Sequence, residues 1–238
     1  MPSPYGMELL ERCIECKLRE RNIFCNLPAR VLQAIEGIKY TTSYPQGAVL
    51  FVEGQVPRGA FIVCKGRVKL YISSSDGKTL ILRVAEAGEV LGLSAAVSGE
   101  PYALTAETLD PSQVTFLRRD DLSRLMHEHP EVAMRVAQHL AGRYSDTCHE
   151  MRSLMLTHSA AGKLATLILE WMARAATSRQ PVSLKITLTH EEIAQIIGTS
   201  RETVTRVFAE FRKKQWINTR GSTLVVRNKA ALQSLAGN

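Results

Sequence analysis

The chain has 238 residues, 45% of them apolar and 22% charged, which is ordinary for one or two globular domains. This excludes a collagen, a disordered tail and a disulfide-dense miniprotein, and no run of 18 apolar residues marks a transmembrane helix. The net charge is +7, all of it in residues 160–238, which hold 12 Lys and Arg against 5 Asp and Glu, whereas residues 1–159 hold 18 of each sign. Such segregation points to a polyanionic partner for the last third, with a solubilising surface as the alternative. The N-terminus lacks a basic stretch followed by an apolar core, and five cysteines suit a reducing compartment. The expectation is a cytoplasmic protein.

In chain order, residues 8–24 mix charged and apolar types and predict a short helical or irregular lead-in. Cys13 and Cys16 lie within it and Cys25 just after. From Pro28 to Ile38, Val31, Leu32, Ile35 and Ile38 recur at helical spacing. Between Tyr40 and Arg119 the pattern changes. Eight of the fifteen glycines punctuate this stretch, separating short apolar or alternating runs such as Phe61-Ile62-Val63-Cys64 and Leu80-Leu82-Val84. Asp76-Gly77 between two runs is a hairpin signal, and Pro45-Gln46-Gly47 and Pro57-Arg58-Gly59 are turns. Many short strands at regular spacing predict an antiparallel roll.

Asp120 to Leu125 predicts one or two helical turns. Pro130 then opens a proline-free segment to about Thr157. Within it Ala133, Ala137, Leu140, Tyr144, Thr147, Met151 and Leu154 fall at spacings of 3 and 4. This seam predicts pairing with a second chain through Leu140, Tyr144, Thr147, Met151 and Leu154; packing on the chain's own roll is the alternative. Ser159 to Ala176 predicts a strongly apolar helix, and Thr177 to Pro181 a polar loop.

In the basic third, Thr189 and Glu192 have capping-box spacing, Ile193, Ala194 and Ile197 face inward, and Gly198 ends the helix. Thr199-Ser200-Arg201-Glu202 begins a second helix whose inner stripe is Val204, Phe208 and Phe211. Trp216-Ile217-Asn218 and Leu224-Val225-Val226 flank Arg220-Gly221-Ser222 as a hairpin. These parts make a winged helix-turn-helix. The second helix turns Arg201, Glu202, Thr205 and Arg206 outward. Arg can pair with guanine O6 and N7, Glu can accept from cytosine N4, and the Thr methyl can touch thymine. Thr189, Ser200 and Thr203 at the helix starts, with Arg212, Lys213, Lys214 and Arg220, are placed for backbone phosphates. The alternatives are a cap between Glu202 and Thr199, or a surface ion pair of Glu202 with Arg206.

On these residues the chain resembles the Crp/Fnr family of bacterial transcription regulators. Carrying the resemblance are Pro45-Gln46-Gly47 with Glu53-Gly54, Lys65-Gly66-Arg67-Val68-Lys69, Gly88-Glu89, and Leu188 through Arg206. It implies an α+β fold: an N-terminal antiparallel β-roll like a cyclic-nucleotide-binding jelly roll, a long dimerisation helix, and a C-terminal winged helix-turn-helix. The expected divisions are a cysteine-containing segment at 1–28, a sensor roll at 29–129, the dimerisation helix at 130–158, and the DNA-binding domain at 159–238. The resemblance further implies a homodimer on double-stranded DNA, reading inverted repeats of GTGA or TTGA type through helix 200–213. It also implies RNA polymerase as a partner and no membrane.

The chain departs from the cyclic-nucleotide-binding members. Their cassette carries a Glu for the ribose and an Arg-Ser/Thr pair for the phosphate. Here the stretch running from Gly92, Leu93 and Ser94 to Ala103 and Leu104 puts Leu93 at the Glu position and Ala103 and Leu104 near the Arg and hydroxyl positions. Apolar groups there leave a buried phosphate unpaired, so a cyclic nucleotide is not the expected effector. The oxygen-sensing branch holds an iron–sulfur cluster on N-terminal cysteines and one roll cysteine. Cys13, Cys16, Cys25 and Cys64 resemble that set imperfectly, and an iron–sulfur cluster, zinc or thiol oxidation, and inert cysteines all stay open. His127, His129, His139, His149 and His158 fit surface positions better than haem ligands. Two other functional classes compete with this one. A recombinase-like nucleic-acid enzyme needs clustered carboxylates, but Glu53, Glu86, Glu89, Glu100 and Glu107 are scattered. An unspecific architectural DNA-binding protein is the other.

Overall fold

The computed structural model describes residues 4–6, 23–156, 159–174 and 183–237, leaving aside the side chains of 4, 149–156, 174 and 185. The lead-in at 8–22, with Cys13 and Cys16, lies outside the described residues, as does the loop expected at 177–181. The chain forms two compact units, 1–144 and 145–238.

In the first unit, α1 (Ala29–Ile38) precedes a roll of eight strands: β1 (Lys39–Tyr44), β2 (Val49–Phe51), β3 (Gly59–Lys65), β4 (Arg67–Ser73), β5 (Thr79–Glu86), β6 (Val90–Leu91), β7 (Thr105–Thr108) and β8 (Ser112–Arg118). A short helix, α2 (Leu93–Ser98), interrupts the strands, and α3 (Arg119–Glu128) follows them, as does α4 (Pro130–Leu156), whose residues up to Tyr144 belong to this unit. The strands form two antiparallel sheets, ordered β1-β8-β3-β6 and β2-β7-β4-β5. This is the expected antiparallel roll within an α+β fold. Asp76-Gly77 turns the β4–β5 hairpin as its sequence predicts. Gly77 takes φ 81° and donates its N–H to Ser74 O at 2.9 Å.

Strand β3 shows why the roll holds its helices. Side chains alternate across a strand. Phe61 and Val63 enter a core with Phe51, Val68, Leu70, Tyr102 and Val114, whereas Ala60 and Ile62 meet Val31, Leu32 and Ile35 of α1, Leu122 and Leu125 of α3, and Val132 and Val136 of α4. The roll core is filled with rings: Phe51 stacks on Tyr102 at 4.2 Å and Phe61 lies 4.8 Å from Phe116. Helix α3 extends beyond the stretch predicted for it. Its Arg119 donates through Nε to Ala96 O at the end of α2, 3.1 Å away. Arg30 of α1 reaches Glu131 of α4 at 2.7 Å.

The second unit contains α5 (Ala160–Arg174), β9 (Ser183–Lys185), α6 (His190–Ile197), α7 (Arg201–Lys213), β10 (Ile217–Arg220), β11 (Thr223–Val226) and α8 (Lys229–Ala236). Its core joins Leu164 and Ile168 of α5 to Ile193 and Ile197 of α6, Val204, Phe208 and Phe211 of α7, Ile217 and Leu224 of the hairpin, and Leu232 of α8. The predicted hairpin gains a third strand, since β9 pairs with β11 through Leu184 and Leu224.

Two glycines give opposite expectations. A Cβ on Gly59 would lie 2.0 Å from the backbone oxygen of Leu117, and one on Gly142 in α4 meets nothing within 4 Å. Gly59→Ala is therefore expected to destabilise the roll by about 3 kcal/mol or more. Gly142→Ala is expected to stabilise helix α4 by roughly 0.5–1 kcal/mol. Chemical denaturation followed by far-ultraviolet circular dichroism checks both signs.

Candidate nucleic-acid interface

The two short helices are set by their caps. Thr189 accepts from the N–H of Glu192, and the Glu192 carboxylate accepts from the N–H of Thr189 at 2.7 Å, a complete capping box. Gly198 closes α6 in the left-handed region, at φ 65°. Two residues later Ser200, not Thr199, caps α7 by accepting from the N–H of Thr203 at 3.2 Å. Glu202 is therefore not the partner of Thr199 in a cap. Its carboxyl is held below the usual range by its own backbone N–H and by the Ser200 hydroxyl. Among the described residues no ion pair joins Glu202 to Arg206, so these two side chains are not tied up with each other.

The 3.6-residue period divides α7 into two faces. Val204, Val207, Phe208 and Phe211 are buried. Arg201, Glu202, Thr205, Arg206, Ala209, Arg212 and Lys213 are exposed, and Ala209 lies amid the exposed arc. Of the phosphate candidates, Arg212 donates to the Thr219 hydroxyl of β10 at 3.2 Å, and Lys214 pairs with Glu210 at 2.7 Å while lying 4.7 Å from the Trp216 ring. Lys213 and Arg220 are exposed, Thr189 and Ser200 are exposed at the helix starts, and Thr203 is half-buried. A cleft of about 290 Å³ between α6, α7 and the hairpin is lined by His190, Phe208, Arg212, Thr219 and Ser222.

Sequence reasoning missed His190. Its ring stacks on Phe208 at 5.0 Å with a 2° interplanar angle, and its Nδ1 lies 2.8 Å from the Thr205 hydroxyl. Burial, then the charges of Arg212 and Arg201, push its pKa down from the ordinary histidine value. Nothing in the spacing of residues 190 and 205 announces this contact, because it is made between helices.

This geometry has counterparts. Residues 41–129 match the cyclic nucleotide-binding domain family and residues 162–235 the Crp-like helix-turn-helix domain family. A CRP-like cAMP-activated global transcriptional regulator of Mycobacterium tuberculosis is 26% identical over 217 residues, 90% of this chain and 96% of that protein. The cAMP-activated global transcriptional regulator CRP of Escherichia coli is 26% identical over 184 residues, 77% of this chain and 87% of its own. Among solved structures, a Crp/Fnr-family transcriptional regulator of Thermus thermophilus superposes with a TM-score of 0.65 at 26% identity, over 84% of this chain and 99% of that one. FixK2 of Bradyrhizobium japonicum shares the fold, with a TM-score of 0.72 at 24% identity over 83% and 97% of the two chains. The chain belongs to the Crp/Fnr family of transcription regulators. It is a DNA-binding regulator and not an enzyme, which sets aside the recombinase-like alternative. No helix among the described residues is long and apolar enough to cross a membrane.

In this Crp/Fnr chain the positions from Gly92 to Leu104 are packed in part. Gly92 takes φ 68° before α2, where a Cβ would strike the Tyr102 ring at 2.7 Å. Leu93 is buried, Ser94 and Ala103 are exposed and Leu104 is half-buried. Tyr102 donates its hydroxyl to Gly59 O at 2.6 Å. Two arginines of this unit are engaged: Arg83 pairs with Glu89, and Arg119 holds Ala96 O of α2. Among the cysteines, Cys25 is buried and Cys64 lies 3.3 Å from the Thr115 hydroxyl, itself 2.8 Å from that of Thr41. The described residues gather no group of three or more metal-ligating side chains. They do not by themselves fit a cluster or a zinc ion.

Of the seam residues, Leu140 is half-buried against the cluster that joins β3 to the helices, Tyr144 is 74% exposed and Thr147 is exposed. The side chains of Met151 and Leu154 lie outside the described set. Helix α4 spends Val132 and Val136 on the roll, so its outward face in the first unit runs through Met134, Ala137, Ala141 and Tyr144. Ala137 and Tyr144 of this face belong to the predicted seam, whereas Leu140 packs on the chain's own first unit.

A histidine with a lowered pKa binds fewer protons folded than unfolded. Its contribution is complete above the unfolded value near 6.5 and is lost as pH falls through the folded one. Both tryptophans, Trp171 and Trp216, lie in the second unit. Urea unfolding followed by their fluorescence is expected to show a larger stability loss between about pH 7.5 and about pH 5.5 in the wild type than in His190→Phe.

Proposed function

We propose that the chain acts as a homodimer reading an inverted repeat, each half-site of GTGA or TTGA type entered by α7. Arg201, Glu202, Thr205 and Arg206 contact base edges. Thr189, Ser200, Thr203, Arg212, Lys213, Lys214 and Arg220 meet phosphates, which fix register without reading sequence. The carrying observation is the division of α7 into a buried apolar face and an exposed face holding all four base-reading side chains. An unspecific architectural protein would need only the phosphate contacts.

In this reading residues 29–129 form the sensor, 130–158 the dimerisation helix and 159–238 the DNA-binding domain, with a cysteine-containing segment at 1–28. The exposed Met134, Ala137, Ala141 and Tyr144 support pairing through α4. A dimer must hold its two recognition helices about 34 Å apart to enter successive major grooves. A signal at the roll or at the N-terminal cysteines that shifts the paired helices therefore changes specific affinity steeply. The bound dimer engages RNA polymerase in the cytoplasm, as its relatives' role in transcription implies.

The signal differs from that of the cAMP-activated relatives. Leu93, Ala103 and Leu104 offer no charge to a cyclic phosphate, and Arg83 and Arg119 have other partners. A ligand at a hundred times its Kd adds about 2.7 kcal/mol of stability. Millimolar cyclic AMP is expected to leave the melting midpoint in place; a clear upward shift would overturn this part.

Sites selected from random duplex DNA test the DNA reading. Arg206→Ala is expected to cost roughly 1–3 kcal/mol and to relax preference at one base pair. Lys213→Ala is expected to weaken binding uniformly across sequences and to lower the salt slope by about 1. Unchanged preference at every position in Arg206→Ala would remove Arg206 from the base-reading set.

A further inference from the structure

The contact between α6 and α7 carries a consequence for which group of Thr205 meets DNA. The Thr205 hydroxyl lies 2.9 Å from Arg201 O and 2.8 Å from His190 Nδ1. Making both bonds at once requires the tautomer with its proton on Nδ1: a carbonyl only accepts, so the single hydroxyl proton goes to Arg201 O and the hydroxyl oxygen accepts from His190. The imidazole cannot turn away easily, because it lies flat on Phe208, a buried residue of the domain core. The hydroxyl is thus held from both sides within the protein, although Thr205 is exposed. With its proton committed the hydroxyl cannot donate to a base, and the methyl group is the apolar contact that Thr205 can offer.

We infer that His190 is a positioning residue which, by holding the Thr205 hydroxyl, makes Thr205 an apolar reader of a thymine methyl group. This rests on the reading of α7 as the base-contacting helix. In a recognition helix whose other reading groups are guanidinium and carboxylate, it supplies one contact that no hydrogen bond could replace. A freely rotating threonine could instead offer its hydroxyl to bases of several kinds, since a hydroxyl both donates and accepts. His190 therefore narrows preference at one position without touching DNA.

The test uses the full chain and sites selected from random duplex DNA. Thr205→Ala first locates the base pair that depends on residue 205; if no position changes, Thr205 is not a base contact and the underlying reading fails at that residue. At the located position the wild type is expected to favour thymine. Replacing that thymine by deoxyuridine, which removes only the methyl and leaves the protein unaltered, is expected to weaken binding about fourfold, the worth of one buried methyl group. Thr205→Val is expected to keep the preference and Thr205→Ser to lose it. His190→Phe keeps a ring over Phe208 but no donor, and is expected to reduce the thymine preference at this position alone, with tryptophan fluorescence reporting that the domain stays folded. Equal binding of uracil and thymine would overturn the inference. So would a preference retained by Thr205→Ser and lost by Thr205→Val, or a wild-type preference in His190→Phe.

Discussion

Helix α7 is fixed in rotation by the four side chains on its inner face. Val204, Val207, Phe208 and Phe211 are each at most 5% exposed. Burying one such side chain contributes roughly 1.5–3 kcal/mol, whereas a surface ion pair on the same helix contributes a few tenths. Turning the helix by one residue would expose aromatic rings and bury guanidinium groups. The outward face is thus decided by hydrophobic packing, and its charged side chains are left to be chosen for a partner. Every functional statement about the second unit depends on this division.

The first unit applies the same logic to a sheet. Strand β3 is buried on both faces, so it ties the ring-filled interior of the roll to the helices α1, α3 and α4. Leu93 and Tyr102, each 3% exposed, are part of this packing, and Tyr102 is bonded to Gly59. The domain's match to the cyclic nucleotide-binding family is a statement about architecture, since a fold does not by itself fix a ligand.

Much of this was legible in the sequence because it is local. The Thr189–Glu192 capping box, the Gly198 stop, the Asp76-Gly77 hairpin and the buried stripe of α7 each follow from residues within one or two turns of one another. Strand β9 was not legible, since three residues carry too little alternation to separate a strand from a loop. The start of α7 was placed one residue early, because Thr199 and Ser200 are both competent caps and backbone geometry chooses between them. The outward face of α4 depends on which side the roll covers, and the bond from His190 to Thr205 joins neighbouring helices. Such contacts are set by tertiary packing and leave no periodic trace.

The central claim is that two copies of α7 enter successive major grooves on one face of a duplex. Hydroxyl-radical footprinting of the full chain on a selected site tests it most directly. The account predicts two protected patches of like width, related by symmetry and centred about one helical turn apart. A single continuous protection that moves freely with sequence would contradict it.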